Sequence, residues 1–377
     1  MSDNIKKQGQ GPKVKRNGKI DLLRFVFCLG VIILHIEGVL YDGMKSWGLF
    51  SMGHRGYIGV EFFFLVSGWL MAKKLASLDH TPCDLETLGG ETYRFLWNKL
   101  RPIIPYHIIV CIAMLSLWAI VYPAKVFWPI FGDRFPSLFF LHRIGIGGVN
   151  PKDTVGIEWY IFSMLLCMAF LYPLGRRYKK AFRCLAPIAG MLVIGYLIIK
   201  TGCLWDVNPI VGFTYKCNWR ALGELLIGIG CYEATCAINQ RDFTKRGRAF
   251  LAVLEVLCHL SVLYYAFGIM SDKYDMYALC ISAVGVAISF SDKGFAVNTD
   301  LFNNEICVWL GKVSMPIYLA QAPWLSFLTV FWKTGTNRQL FTVMLLGSVF
   351  TGILAQVIVE GIGRRKANKR RHVTTGV

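Results

Sequence analysis

The chain has 377 residues, of which 55% are apolar and only 17% are charged. Soluble domains carry about 25% charged residues, so this composition excludes a disordered protein and argues against a soluble enzyme. Apolar runs of near-spanning length recur along the chain and predict an all-α, polytopic membrane protein. The net charge of +18 would indicate nucleic-acid binding in a soluble protein, but cytoplasmic loops of membrane proteins concentrate Lys and Arg. We therefore expect a lipid bilayer, and no nucleic acid, as a partner.

The apolar runs predict ten spans in one membrane domain, residues 20–362. A basic tail, residues 1–19, precedes this domain, and a second basic tail, residues 363–377, follows it. The longest connecting segments are 73–102 and 123–156. The predicted spans are 20–40, 56–72, 103–122, 157–174, 184–201, 220–236, 249–268, 276–290, 306–328 and 340–361.

The distribution of Lys and Arg predicts the orientation. With alternating spans and a cytoplasmic N-terminus, 27 of the 41 basic residues fall on the cytoplasmic side and 10 in the external loops. Because positive charge accumulates inside, both termini are expected in the cytoplasm. Residues 91–101, on that side, have the pattern of an amphipathic helix on the membrane surface. The first apolar run lacks a small-residue cleavage site, so we expect a retained anchor and not a signal peptide.

The twelve cysteines show neither zinc-ligand spacing nor a CxxC motif, so we expect no metal site. Most of them lie inside apolar runs, where Cys behaves as a small hydrophobic residue. Cys203 and Cys217 share one predicted external loop. A disulfide between them and a pair of free thiols are both compatible with the sequence.

Two ionisable residues in the first span stand out. Arg24 and His35 are eleven residues apart, which places them on one helix face about 16 Å apart along the axis. A guanidinium near the inner surface can hold an anionic cofactor, and a deeper imidazole can move a proton at a reacting centre. Pairing with Asp21 or Glu37 could explain either residue singly, but it would not explain why both share a face.

The spacing of Arg24 and His35 belongs to a longer set of motifs. The other motifs are 59–68 (GVEFFFLVSG), 99–106 (KLRPIIPY), 158–165 (EWYIFSML) with 172–174 (YPL), and 310–319 (LGKVSMPIYL). In this order and spacing, the five motifs resemble those of the integral membrane acyltransferase family three, whose members O-acylate sugars. Gln321 departs from the pattern, because the family often has His there, and Asn98 replaces a second Arg. The short segment after the last span predicts the stand-alone form, without a fused SGNH domain.

The resemblance implies transfer of an acyl group, expected to be acetyl, from cytosolic acyl-coenzyme A to a hydroxyl of a carbohydrate. The expected acceptor is a surface polysaccharide or its lipid-linked precursor, and the expected location is a bacterial cytoplasmic membrane. His35 is then the general base, and Glu61 either orients His35 or pairs with Arg24. The coenzyme phosphates require cations at the inner surface. The candidates are Arg24, Arg94, Lys99 and Arg101.

The acceptor side is less constrained by the sequence. Trp159, Tyr160 and Tyr318 offer sugar-stacking faces or hydroxyl donors, but ordinary aromatic packing explains each of them singly. Arg220 is the first residue of the sixth predicted span, at its external end. It either binds an acidic sugar or extends its charged group towards the membrane–water interface. Ser67 lacks a base at a fixed spacing, and the same is true of Ser314, so helix packing is the expected role of both.

Two other classes of function remain compatible with buried charges in a membrane. One is a proton-coupled transporter that uses these charges as a relay. The other is a flippase-like or scaffold subunit of a glycan-assembly complex. Binding of acetyl-coenzyme A at the inner face distinguishes a transferase from a transporter, and acyl transfer by the purified protein distinguishes it from a scaffold.

Overall fold

The computed structural model describes residues 17–37, 55–141, 143, 156–268, 272–297, 299–332 and 334–375, with side chains up to residue 365. These residues are almost entirely helical, which confirms the all-α class. The β structure in the described part is one hairpin, in which β1 (Ile210–Val211) pairs with β2 (Thr214–Tyr215). The helices are α1 Gly18–Glu37, α2 Ile58–Ala76, α3 Leu85–Leu100, α4 Ile104–Val121, α5 Ala124–Arg134, α6 Trp159–Thr201, α7 Lys216–Asn239, α8 Lys245–Phe267, α9 Asp275–Ser289, α10 Glu305–Phe331 and α11 Asn337–Thr375.

Each of the ten predicted spans falls largely on a helix within the described residues. In the part of the chain that the structure describes, five helices are long and apolar enough to cross a membrane, which supports a membrane protein. Most of the first tail, residues 1–16, and the end of the first span, residues 38–40, lie outside the described residues. The helix α11 continues past the predicted domain boundary at 363. The five helical segments are Ile104–Val121, Trp159–Thr201, Lys216–Asn239, Lys245–Phe267 and Asn337–Arg365.

Two connections differ from the expected loops. The segment 175–183 is part of α6, which runs on with a sharp bend at Lys179 (φ 50°, ψ −124°). The bend is held because Lys179 Nζ donates to the Asp79 carbonyl oxygen at 2.7 Å. The segment 123–156 contains α5 and a short 3-10 helix, Phe135–Phe139. No residue of α5 is buried, and its aromatic side chains suit the membrane interface.

The contacts between helices give their relative directions. Asp21 on α1 lies against Gly311 on α10, where no side chain would fit, and Cys28 Sγ donates to the Ser314 carbonyl oxygen at 3.2 Å. The residue numbers of the contacting pairs increase in the same direction along both helices, so α1 and α10 run parallel. The approach of α2 to α7 is equally close, because Gly68 and Gly228 each face a backbone carbonyl of the other helix. Small residues at such crossings allow close backbone packing.

Ion pairs join three segments at one end of the bundle. Arg183 donates to both carboxylate oxygens of Asp79, at 3.0 Å and 2.7 Å, and to Glu233 at 2.6 Å. Arg176 donates to Glu91 on α3 at 2.9 Å. The hydrogen bonds from Arg183 hold the pKa of Asp79 below its usual range, and those from Arg176 lower the pKa of Glu91. The joined segments are those expected on the cytoplasmic side.

The opposite end is held by a buried carboxylate. Asp275 accepts hydrogen bonds from the Tyr57 and Tyr265 hydroxyls and from the backbone of the 202–209 connection. Cys203 and Cys217 are both free thiols, so the structure shows no disulfide between them. This end therefore gathers the segments that were expected outside.

Candidate active site

Arg24 lines a narrow crevice between α1, α2, α6 and α10. His35 lies three turns further along the same face of α1. The side chain of Arg24 is 29% exposed, and its Nη1 lies 3.9 Å from Asp21 Oδ1. The crevice has a volume of ≈ 10 Å³, room for about one water molecule. The contribution of α10 to this crevice did not follow from the sequence. Its walls are Arg24, Phe63, Tyr160, Ser314, Met315 and Tyr318.

His35 contacts Gln321, the residue that departs from the family motif. The His35 Nδ1 atom lies 2.8 Å from Gln321 Oε1. The Gln321 side chain is fully buried, and its Nε2 donates to the Tyr318 carbonyl oxygen at 2.7 Å. The sequence indicated that position 321 is unusual, but it gave no indication that Gln321 would meet His35.

Two tyrosines in the crevice differ in how their hydroxyls are used. The Tyr318 hydroxyl donates to the Ile157 carbonyl oxygen at 2.8 Å. The Tyr160 hydroxyl has a longer contact, 3.5 Å from Ser67 Oγ. The two rings meet edge to face, 6.2 Å apart. Tyr160 is therefore better placed than Tyr318 to donate a hydrogen bond to a bound molecule.

The cations expected to hold coenzyme phosphates divide into two pairs. Lys99 is half-buried near the end of α3, with Nζ 5.7 Å from the centre of the Phe95 ring. Burial, followed by the positive charge of Arg24, lowers the pKa of Lys99, so the two cations are near enough to interact electrostatically. Arg94 and Arg101 are exposed on the same α3 segment. Such a cluster suits a ligand with several negative charges.

Glu61 belongs to a different cluster from the one expected. Its Oε1 lies 3.3 Å from Arg220 Nη2, and Glu224 Oε1 lies 2.7 Å from Arg220 Nε. All three side chains are fully buried. In the described contacts, Glu61 meets neither His35 nor Arg24. Two carboxylates around one guanidinium form an ionic junction between α2 and α7.

The remaining hydrogen bonds of Arg220 are also internal. Its Nη1 donates to the Leu204 carbonyl oxygen and its Nη2 to the Tyr57 carbonyl oxygen, both at 3.1 Å. The guanidinium carbon lies 5.8 Å from the centre of the Trp159 ring. This conformation gives Arg220 a structural role, and it places Trp159 against Arg220 rather than in the crevice. Acceptor binding by either residue stays a prediction.

A second buried pair was missed by the sequence analysis. His107 Nδ1 lies 2.9 Å from Glu158 Oε1, and His107 Nε2 lies 3.0 Å from the Leu138 carbonyl oxygen. Both ring nitrogens face oxygen acceptors, which is the pattern of an imidazolium. Cys111 lies beside them. A ring nitrogen of His107, the Cys111 Sγ and a carboxylate oxygen of Glu158 lie within 4.8 Å of one another, close enough to bind one metal ion together. The pair fixes the residue before Trp159, next to the carbonyl that binds Tyr318.

Known proteins resemble this chain over nearly its whole length. Residues 17–359 match the family model described as an acyltransferase domain. Proteins named "Putative O-acetyltransferase" from Staphylococcus aureus strains COL and N315 are each 23% identical over 344 residues, which cover 84% of this chain and 52% of theirs. The "Putative peptidoglycan O-acetyltransferase YrhL" of Bacillus subtilis is 21% identical over 367 residues, 90% of this chain and 53% of that protein.

The chain thus spans about half the length of the curated relatives it matches. No solved structure gives a significant match to it. The family model nevertheless covers both the crevice and every motif described above. This protein therefore belongs to the integral membrane acyltransferase family three.

Proposed function

We propose that the protein is a membrane O-acetyltransferase that moves an acetyl group from cytosolic acetyl-coenzyme A to a hydroxyl of a surface polysaccharide or its lipid-linked precursor. One observation carries this proposal. Arg24 lines the crevice near one end of α1, and the imidazole of His35 lies about 16 Å further along the same helix face. That distance is comparable to the reach of a pantetheine arm.

In this proposal each of the candidate site residues has a separate role in the reaction. Arg24 and Lys99 bind the coenzyme phosphates, with Arg94 and Arg101 as outer contacts. His35 accepts the proton of the acceptor hydroxyl, whose oxygen attacks the thioester carbonyl carbon. The carbon–sulfur bond breaks, an ester forms, and His35 returns the proton to the departing thiolate. Tyr160 can donate a hydrogen bond to the oxyanion that develops during the attack.

The proposal includes ten spans with both termini in the cytoplasm. In that count α1 and α10 are the first and ninth spans, and α2 and α7 are the second and sixth, so each pair must run parallel. The contacts of Cys28 with Ser314 and of His35 with Gln321 support this for α1 and α10. The contacts of Glu61 with Arg220 and of Trp69 with Thr235 support it for α2 and α7. The ion pairs that join Arg183 to Asp79 support one common side for the basic loops.

The relatives guide the choice of acceptor. One of them is named for peptidoglycan, so peptidoglycan fragments belong beside other surface glycans in the first screen. The identity with that relative is 21%, so the acceptor has to be found by experiment.

Sealed vesicles of known orientation test both activity and sidedness. Labelled acetyl-coenzyme A is supplied on the cytoplasmic face, and an impermeant glycan is supplied on the other face. Labelled glycan is the expected product. Labelling only when both substrates share the cytoplasmic face would reject transfer across the membrane. No binding of acetyl-coenzyme A at all would reject the transferase and favour a transporter.

A further inference from the structure

We propose that Gln321 is a positioning residue that fixes the tautomer of His35, with the proton on Nδ1 and the basic lone pair on Nε2. This inference rests on the proposed role of His35 as the general base. It assigns a function to a side chain that touches the imidazole without touching the reacting atoms.

The amide of Gln321 has a defined orientation. Its neighbour on one side is the carbonyl oxygen of Tyr318, at 2.7 Å, and a carbonyl can only accept a hydrogen bond. The nitrogen of the amide must therefore face Tyr318. The opposite orientation would bring two acceptor oxygens together in a fully buried place, which is costly.

The orientation of the amide decides the protonation of the ring. With its nitrogen towards Tyr318, Gln321 presents Oε1 to His35 Nδ1 at 2.8 Å. An amide oxygen accepts and does not donate, so the Nδ1 atom must carry the proton. In the neutral imidazole the other nitrogen, Nε2, is then unprotonated. Only this nitrogen can act as the base.

The rigidity of α10 makes the arrangement effective. Gln321 and Tyr318 are one helical turn apart, and Tyr318 is itself anchored by its hydroxyl to the Ile157 carbonyl oxygen. A chain of three hydrogen bonds therefore connects the imidazole to the segment before α6. Groups held in this way lose little entropy when the reaction proceeds.

Nitrogen-15 NMR of protein labelled at histidine reads the tautomer directly. The two ring nitrogens of a neutral imidazole resonate far apart when one is protonated, and His35→Ala identifies the signals of His35. The wild-type protein should show a protonated Nδ1 and an unprotonated Nε2. Gln321→Leu should remove this preference. A protonated Nε2 in the wild type, or an unchanged spectrum in Gln321→Leu, would overturn the proposal.

Kinetics connect the tautomer with the rate. Gln321→Leu should lower kcat by between about 10-fold, as for partners that orient metal-binding imidazoles, and about 10⁴-fold, as for a catalytic imidazole in the wrong tautomer. The affinity for acetyl-coenzyme A should stay unchanged. Gln321→Glu, as the neutral acid, can donate to the Tyr318 carbonyl oxygen and still present an acceptor oxygen to Nδ1, so it should retain the Nδ1 proton and more activity than the Leu variant. Full activity in Gln321→Leu despite a changed tautomer would reject the positioning role.

Gln356→Leu is the matched control. Gln356 on α11 is also buried, but its amide contacts Tyr106 on α4 and Glu360 on α11. This variant should change neither the histidine spectrum nor kcat, and melting temperatures show whether each variant is folded. The spectrum requires no acyl transfer. A protein with the Nδ1 tautomer but no transferase activity would therefore refute the proposed function and not the hydrogen-bond assignment.

Discussion

The Cys28 thiol donates to the Ser314 carbonyl oxygen, at a level between those of Arg24 and His35. Both residues are buried, so α1 and α10 are closed against each other at this height. The crevice beside Arg24 is also lined by Phe63 and Tyr160. We therefore expect a molecule that reaches from Arg24 towards His35 to pass these two side chains.

Loss of the imidazole should abolish most of the activity. His35→Ala is expected to lower kcat by about 10²–10⁴-fold, the usual contribution of a general base, with little change in acetyl-coenzyme A affinity. His80→Ala, in an exposed turn, is the matched control and should behave as the wild type. A rate in His35→Ala close to that of the wild type would remove His35 from the reaction.

Loss of the cation at the inner end should affect binding. Hydrogen bonds to charged groups contribute about 1.5–3 kcal/mol, so Arg24→Ala should weaken acetyl-coenzyme A binding by about 10- to 150-fold in calorimetry. Arg24→Lys should restore only part of it, because an ammonium lacks the bidentate fork. Arg241→Ala, on an exposed turn, serves as the control. Equal affinities in Arg24→Ala and the wild type would place the coenzyme elsewhere.

The two crevice tyrosines provide a matched pair of substitutions. Tyr160→Phe should lower kcat by about 10²-fold if its hydroxyl stabilises the oxyanion. Tyr318→Phe loses the hydrogen bond to the Ile157 carbonyl oxygen and should cost stability, about 1 kcal/mol, more than rate. Steady-state kinetics and thermal melts of both variants separate these effects. The reverse pattern would assign the hydroxyl donor to Tyr318.

The role of Arg220 can be decided by stability. Arg220→Ala leaves Glu61 and Glu224 as buried, uncompensated carboxylates and should destabilise the protein by about 3–5 kcal/mol. Addition of Glu61→Gln and Glu224→Gln should recover part of this loss. If Arg220→Ala melts like the wild type but binds an acidic glycan poorly, Arg220 contacts the acceptor instead.

Acid should release the Asp79–Arg183 pair. Because the native pKa of Asp79 is lowered by Arg183, the pair stabilises the protein above the usual aspartate pKa of about 4, and this stability is lost as the pH falls through the lowered value. Asp79→Asn should therefore lower the melting temperature at neutral pH. In this variant the melting temperature should also decrease less steeply than in the wild type as the pH is lowered. The exposed Asp242→Asn is the control. An identical pH dependence in Asp79→Asn and the wild type would contradict this role.

The sequence predicted the features that depend on local composition. Apolar runs located the spans, and the helical period placed Arg24 and His35 on one face. Partners distant in sequence were not predictable, because no local pattern encodes them. Glu61 meets Arg220, which is 159 residues away, and not His35. The bend in α6 was also not predictable from the sequence, because it depends on a hydrogen bond of Lys179 to a loop 100 residues earlier.

The contact between His35 and Gln321 spans 286 residues and so joins α1 to α10. At about 5–20 residues per second, a ribosome needs roughly 15–60 s to synthesise the chain between them. During that time α1 lacks its partner helix. The hydrogen bond between His35 and Gln321 therefore forms late in biogenesis, and a chain truncated before α10 would contain most of the helices but not this contact.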